Sequence, residues 1–143
     1  MGVVGMRSVL YTLQKLQEQE KKQKQRELAR AQIEESAQEQ EVLRLQNLLA
    51  EERLMEVSTA GEMFLHDRLL YNRYYEIVSA ETVLSGKQEQ VQVCQEELRY
   101  ARQISKITEN VIGTMEEKMA LQRKRKQEKE MNDISILGWW RQE

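Results

Sequence analysis

The sequence predicts an all-α chain folded as an elongated two-helix antiparallel coiled-coil hairpin. Three observations predict it. None of the 143 residues is proline, and 32% are charged. Apolar residues recur at helical spacing along two long stretches, and a helix-start signal lies between those stretches. Alternating apolar and polar runs bounded by turn residues, the mark of a sheet, are missing. Gln, Glu, Lys and Arg fill most other positions, as the solvated faces of long helices require. Mean hydropathy is −0.74.

The first helix is expected from about residue 6 to 57, some 78 Å at ~1.5 Å per residue. The opening "MGVVGMRSVLYTL" is apolar and begins Met-Gly. A signal peptide would place its positive charge before an unbroken apolar run, yet Arg7 lies inside this one. Myristoylation of Gly2 would want Ser or Thr where Met6 stands. The segment therefore reads as the apolar beginning of a helix. Its seam runs through Val9, Leu13 and Leu16, then Leu28, Ala31, Val42, Leu45 and Leu49, with Glu35 and Gln38 as polar interruptions.

The turn is expected at about 58–61. Thr59-x-x-Glu62 matches a capping box, in which the Thr59 hydroxyl takes the Glu62 amide while Glu62 reaches back to the Thr59 amide. Ser85-Gly86 is the alternative, ending one helix on a left-handed glycine. That turn would leave the apolar N-terminal stripe without a partner.

The second helix is expected over about 62–131, overhanging the first, with a tail at 132–143. Its seam is read as Val91, Cys94, Leu98, Ala101, Ile104, Ile107, Val111, Met115 and Met119, whose mean step is about 3.5 residues, the period of a left-handed coiled coil. Two stretches hold no apolar side chain beyond alkyl stems: "QEQEKKQKQRE" (17 to 27) and "QRKRKQEKE" (122 to 130). The second carries five bases against two acids, so one end of the hairpin is expected to be basic and the other, near the turn, aromatic.

Little here points to catalysis. Ser85-Gly86-Lys87 lacks both the upstream glycine and the following hydroxyl of a phosphate loop. His66 is the single histidine and reads as a turn-side residue. Cys94 is the single cysteine and reads as a small seam hydrophobe. No His/Cys/Asp grouping has metal-ligand spacing, so no cofactor is expected. No stretch approaches the ~20 apolar residues of a membrane span. The basic run Arg123, Lys124, Arg125, Lys126 follows its heptads, whereas a DNA-binding basic helix precedes them, so nucleic acid is not the expected partner.

The aromatic cluster says more. In "LLYNRYYEIV", Tyr71, Tyr74, Tyr75 and Val78 fall at i, i+3, i+4 and i+7, one stripe of a helix. Leu69, Leu70, Ile77 and Val83 widen it beyond what one seam can bury. Either the stripe is core against the first helix, or part of it is an exposed protein-binding face. At the other extreme, "NDISILGWWRQE" places Trp139 and Trp140 beyond the last heptad, after Gly138. They could fold back on the hairpin or serve as a docking tail of large, rigid anchors.

This layout resembles the FliJ-like and YscO-like central stalk proteins of type III secretion systems, flagellar and virulence-associated. The resemblance covers the whole chain and rests on its length, the turn near "STAGE", "YNRYYEIV", "RKRKQEKE" and "NDISILGWWR". It implies a cytoplasmic, non-enzymatic two-helix stalk, peripheral to the inner-membrane export apparatus. The helix ends at the termini would enter a hexameric secretion ATPase, and the other end would touch the cytoplasmic ring of the export gate. Tyr71, Tyr74, Tyr75 and Val78 would then meet the gate, Arg123, Lys124, Arg125 and Lys126 the ATPase, with Trp139 and Trp140 a docking tail. Escort of secretion chaperones is a further implied role without assigned residues. A generic coiled-coil scaffold or homodimeric adaptor is the second reading, and a membrane-surface helix using "ISILGWW" with the upstream bases the third.

Overall fold

The computed structural model describes residues 3–142, with side chains over 5–141. Gly2 and the myristoylation question lie outside the described residues. The described chain is all-helical: α1 spans Val3–Arg53 and α2 spans Ala60–Gln142. No strand occurs among the described residues.

The connection falls at 54–59, earlier than the 58–61 expected, because α1 stops at Arg53 instead of continuing to Val57. Its last turn tightens, with Leu54 N–H on the Glu51 carbonyl at 3.2 Å and Met55 N–H on the Glu52 carbonyl at 3.3 Å. Val57, Ser58 and Thr59 follow, residues whose branched or hydroxyl side chains compete with helical backbone. The capping box forms in part: Glu62 N–H donates to Thr59 Oγ1 at 3.1 Å. The reciprocal arm shifts toward Ser58, since the Glu62 carboxylate accepts from the Ser58 amide (3.0 Å) and the Ser58 hydroxyl (3.1 Å). The cap thus begins one residue earlier than the motif alone suggests.

Contacts group the chain into two units, where the sequence suggested one hairpin. The first, Glu20–Ala101, contains the connection. Here α1 and α2 pair antiparallel around two apolar clusters. Val42, Leu45, Ile77 and Ala80 form one, flanked by Leu49 and Leu84. Ala31, Val91 and Cys94 form the other, flanked by Leu28. Between them Gln38 donates its side-chain amide to the Ala80 carbonyl at 2.9 Å, so this seam amide has a partner. The alternative turn at Gly86 does not occur. Gly86 sits inside α2 with no positive φ, and an added Cβ would meet nothing within 4 Å.

Near the connection the inward positions turn ionic. Glu52, buried in α1, meets Arg73 of α2 through Nη2–Oε1 at 2.7 Å and Nε–Oε1 at 3.1 Å. Glu76 takes the other Arg73 amino group at 2.6 Å. His66 Nε2 lies 2.6 Å from the Glu52 carbonyl. A carbonyl can only accept, so the imidazole proton belongs on Nε2. The Glu52 carboxylate and the Glu52 carbonyl therefore tie the last turn of α1 to Arg73 and His66 of α2, while Glu76 holds Arg73 from within its own helix.

The second unit contains the chain before Glu20 and after Ala101. Its seam differs from the one expected. Val9, Leu13 and Leu16 are exposed, while Leu10 and Gln14 are half-buried and Gln17 is buried. On α2, Ile107 is 62% exposed, whereas Ser105 is 5% and Thr108 6% exposed. The inward stripe is the one a residue later on α1 and, on α2, at Ser105, Thr108 and Ile112, after which Met115 and Met119 are half-buried as expected. Counting through both units, inward positions alternate steps of three and four: 10, 14, 17, 21, 24, 28, 31, 35, 38, 42, 45, 49, 52 on α1, and 66 to 119 likewise on α2. In the second unit this spacing places Gln14, Gln17, Ser105 and Thr108 inward where apolar residues were expected.

The tail at 132–143 is not a separate segment: α2 runs unbroken to Gln142. Gly138 is its only weak helix former there besides Ser135 and Asn132, and one helical glycine costs only ~1 kcal/mol.

Two outcomes are expected. Gly86→Ala should raise unfolding stability by about 0.8–1 kcal/mol in denaturant titration, since the position is helical and open; a left-handed turn there would give destabilisation instead. Hydrogen bonds from Ser58, the amide foremost, and the Thr59 backbone lower the Glu62 pKa. A lowered folded-state pKa stabilises above the unfolded value, and this contribution disappears as pH falls through the folded one. Glu62→Gln should therefore flatten the loss of stability below about pH 4, measured against wild type.

Candidate partner-binding surfaces

Within the first unit, the residues of α2 that face α1 are His66, Leu70, Arg73, Ile77 and Ala80. Tyr71, Tyr74, Tyr75 and Val78 consequently lie on the outer side. The three tyrosines are 58–60% exposed and Val78 is 41% exposed, so the stripe is surface and not core. Tyr71 donates its hydroxyl proton to the Tyr75 hydroxyl at 3.1 Å, and the rings meet edge-on at 4.8 Å. That bond raises the Tyr71 pKa and keeps the phenol neutral. The pair is a preformed aromatic block with two amphipathic rings, the chemistry of a protein anchor.

Sequence reasoning missed a neighbour. Phe64, 66% exposed, stands seven residues before Tyr71 and so continues the same stripe toward the connection. Leu54, Met55 and Met63 are exposed around it. The signal was available in the i, i+7 spacing from Phe64 to Tyr71. Of the widening residues, Ile77 is buried core and Leu70 half-buried, while Leu69 and Val83 are exposed.

In the second unit, every described side chain from Leu121 to Arg141 is exposed. Arg123 still lines a small hollow with Arg7, Glu116, Met119 and Ala120; Lys124, Arg125 and Lys126 project from bare helix beyond it. The four bases cover more than a full helical turn and so present positive charge all round. Met131, Ile134, Ile136 and Leu137 follow, all more than half exposed, and then the indoles. Trp139 and Trp140 are 58% and 65% exposed and touch each other edge-on at 5.8 Å. They do not fold back on α1. A helix apolar around its circumference, as this end is, normally has partners on several sides.

No known protein family, curated protein or solved structure matches the chain. No described helix is long and apolar enough to cross a membrane, and no group of His, Cys, Asp and Glu among the described residues could hold a metal ion. Cys94 is buried, with Gln90 donating to its sulfur at 3.6 Å.

Tyr74→Ala combined with Tyr75→Ala should leave the helical circular dichroism intact and shift stability by less than ~1 kcal/mol, as exposed positions do. A loss comparable to a core truncation, ~2–5 kcal/mol, would make the stripe core after all.

Proposed function

We propose that the chain is the non-enzymatic central stalk of a type III secretion system, linking the hexameric secretion ATPase to the export gate during protein export. The observation that carries this reading is the bare C-terminal extension of α2. Four consecutive bases and then two adjacent tryptophans stand on one unbroken helix whose described side chains from Leu121 to Arg141 are all exposed. A single helix ringed with positive charge and ending in indoles suits a narrow, negatively lined channel at the centre of a protein ring. Arg123, Lys124, Arg125 and Lys126 are the ATPase contact, and Trp139 and Trp140 the docking anchors at its end.

The rest of the reading follows the same logic. The inward positions repeat every seven residues, which supports an elongated left-handed coiled coil, the stiff element a stalk requires. Tyr71, Tyr74, Tyr75 and Val78, extended by Phe64, are the surface for the cytoplasmic ring of the gate. The working place is cytoplasmic, peripheral to the inner-membrane export apparatus. Chaperone escort belongs to the same proposal, without residues of its own.

The test is co-purification with the secretion ATPase. Reversing charge at Arg123, Lys124, Arg125 and Lys126 together should weaken ATPase capture at least about tenfold and steepen no thermal transition, since these groups are exposed. Unchanged capture by the reversed variant removes the assignment. Export should also fall in the Tyr74→Ala, Tyr75→Ala double variant while ATPase capture persists.

A further inference from the structure

In the second unit α1 turns its more apolar stripe outward, and α2 carries apolar residues both at its seam, where Ile112 is buried, and one position outside it. On α1 the inward residues Gln14 and Gln17 are polar, and the Gln17 side-chain oxygen is buried without a hydrogen-bond partner. On α2, Ser105 and Thr108 are buried at the seam. One residue earlier on each helix stands an apolar series: Met6, Val9, Leu13 and Leu16, exposed at 63, 62, 41 and 57%, with Ile107 and Val111 at 62 and 47%. In an antiparallel pair, the positions just before the seam on both helices lie along one side of that pair. The contacts agree, because Met6 and Val111 line a single open groove of ≈ 410 Å³ with Leu10 and Met115. The opposite side is polar: Arg7 lies over the Tyr11 ring, and Tyr11 donates to Glu116.

A helix apolar at its seam alone suits one partner, whereas a helix whose apolar surface widens to the adjacent position suits a bundle. Both helices here are widened to the same side, so two helices are too few. We propose that a second copy of this chain covers the face, two copies pairing through the same patch into a four-helix bundle. Two arguments select this occupant. First, the six large apolar side chains are 41–63% exposed and lie on one side of the pair, so a two-fold axis sets this patch against an identical one, as the apolar centre of a standard-size interface of ~800 Å² per partner requires. Second, among the described residues Lys118 is the only ionised one lining the groove. A copy brought to itself by a two-fold axis therefore meets no row of like charges, while an acidic or basic partner finds almost nothing to recognise. The proposal does not rest on the secretion reading, because it is measured on the chain alone.

Sedimentation equilibrium of the full chain tests it. A reversible dimer is expected at tens of micromolar. Leu13→Glu or Ile107→Glu should weaken it about a hundredfold, since each substitution enters the interface twice. Ile33→Glu, exposed at 69% but outside the second unit, should leave it unchanged. Circular dichroism checks helicity in each variant, and Val9→Ser, which adds no charge, should weaken association in the same direction if a glutamate variant misfolds. A chain monomeric at every concentration overturns the proposal. So does a dimer that survives both glutamate variants, or one abolished only by Trp139→Ala with Trp140→Ala. A monomer whose Leu13→Glu variant loses a secretion ATPase would give the face to that partner and equally overturn it.

Discussion

One constraint orders this molecule: the positions that face the partner helix recur in steps of three and four, in one phase, along each helix. Seven residues per two turns is not the natural repeat of an α-helix, so the phase must be held by contacts. In the Glu20–Ala101 unit those contacts are the clusters around Leu45 with Ile77 and around Cys94 with Val91. Two helices can enclose no side chain completely, and no large side chain among the described residues is fully buried. Each apolar contact is therefore partial, and polar seam residues must carry part of the register. Gln38 does so through the Ala80 carbonyl, and Arg73 does so through Glu52. A buried ion pair adds little net stability compared with apolar residues of the same volume, but losing one partner leaves the other charge stranded. Such a pair disfavours a slipped register more than it strengthens the correct one.

The same phase decides which chemistry reaches solvent. Beside the connection it sends Ile77 inward and leaves the tyrosines out, so the aromatic stripe is available without any rearrangement. On α1 of the second unit it sends Gln14 and Gln17 inward and leaves Val9, Leu13 and Leu16 out, while on α2 Ser105 and Thr108 share the inward side with Ile112. A chain optimised only for pairing its own two helices would have the reverse. The exposed apolar side is thus a stability sacrifice that makes sense if another surface covers it. The bare end of α2 is a different case: Ile136 and Trp140 fall at seam spacing, yet every described side chain there is exposed.

Much of this was legible in the sequence. The absence of proline, the helical spacing and the capping signal at Thr59 and Glu62 fix two helices and the region of the connection. Val91, Cys94, Leu98 and Ala101 could be placed at the seam because no competing apolar stripe runs beside them except at Val93 and Tyr100. Beyond Ala101 the sequence offers two stripes one residue apart, Ile104-Ile107-Val111 and Ser105-Thr108-Ile112. Hydropathy chooses the first, whereas the buried residues are those of the second. Glu52 and Arg73 were illegible for the same reason: continuing the count from Leu45 and Leu49, or back from Ile77, reaches them, but charge argues against burial until the partner is known. The helical end was missed because Gly138 looks like a break, whereas nothing around it stops a helix.

Of the surfaces proposed for partners, the tyrosines and the basic run were visible as spacing and as charge, and only their exposure needed the fold. The account depends most on the phase in the second unit, and thiol labelling measures it directly. In a Cys94→Ser background at submicromolar concentration, where copies are apart, single cysteines at Gln17, Ser105 and Thr108 should react slowly, and those at Leu16 and Ile107 should react nearly as fast as an unfolded control. Slow labelling at Leu16 and Ile107 with fast labelling at Gln17 and Ser105 would contradict the account.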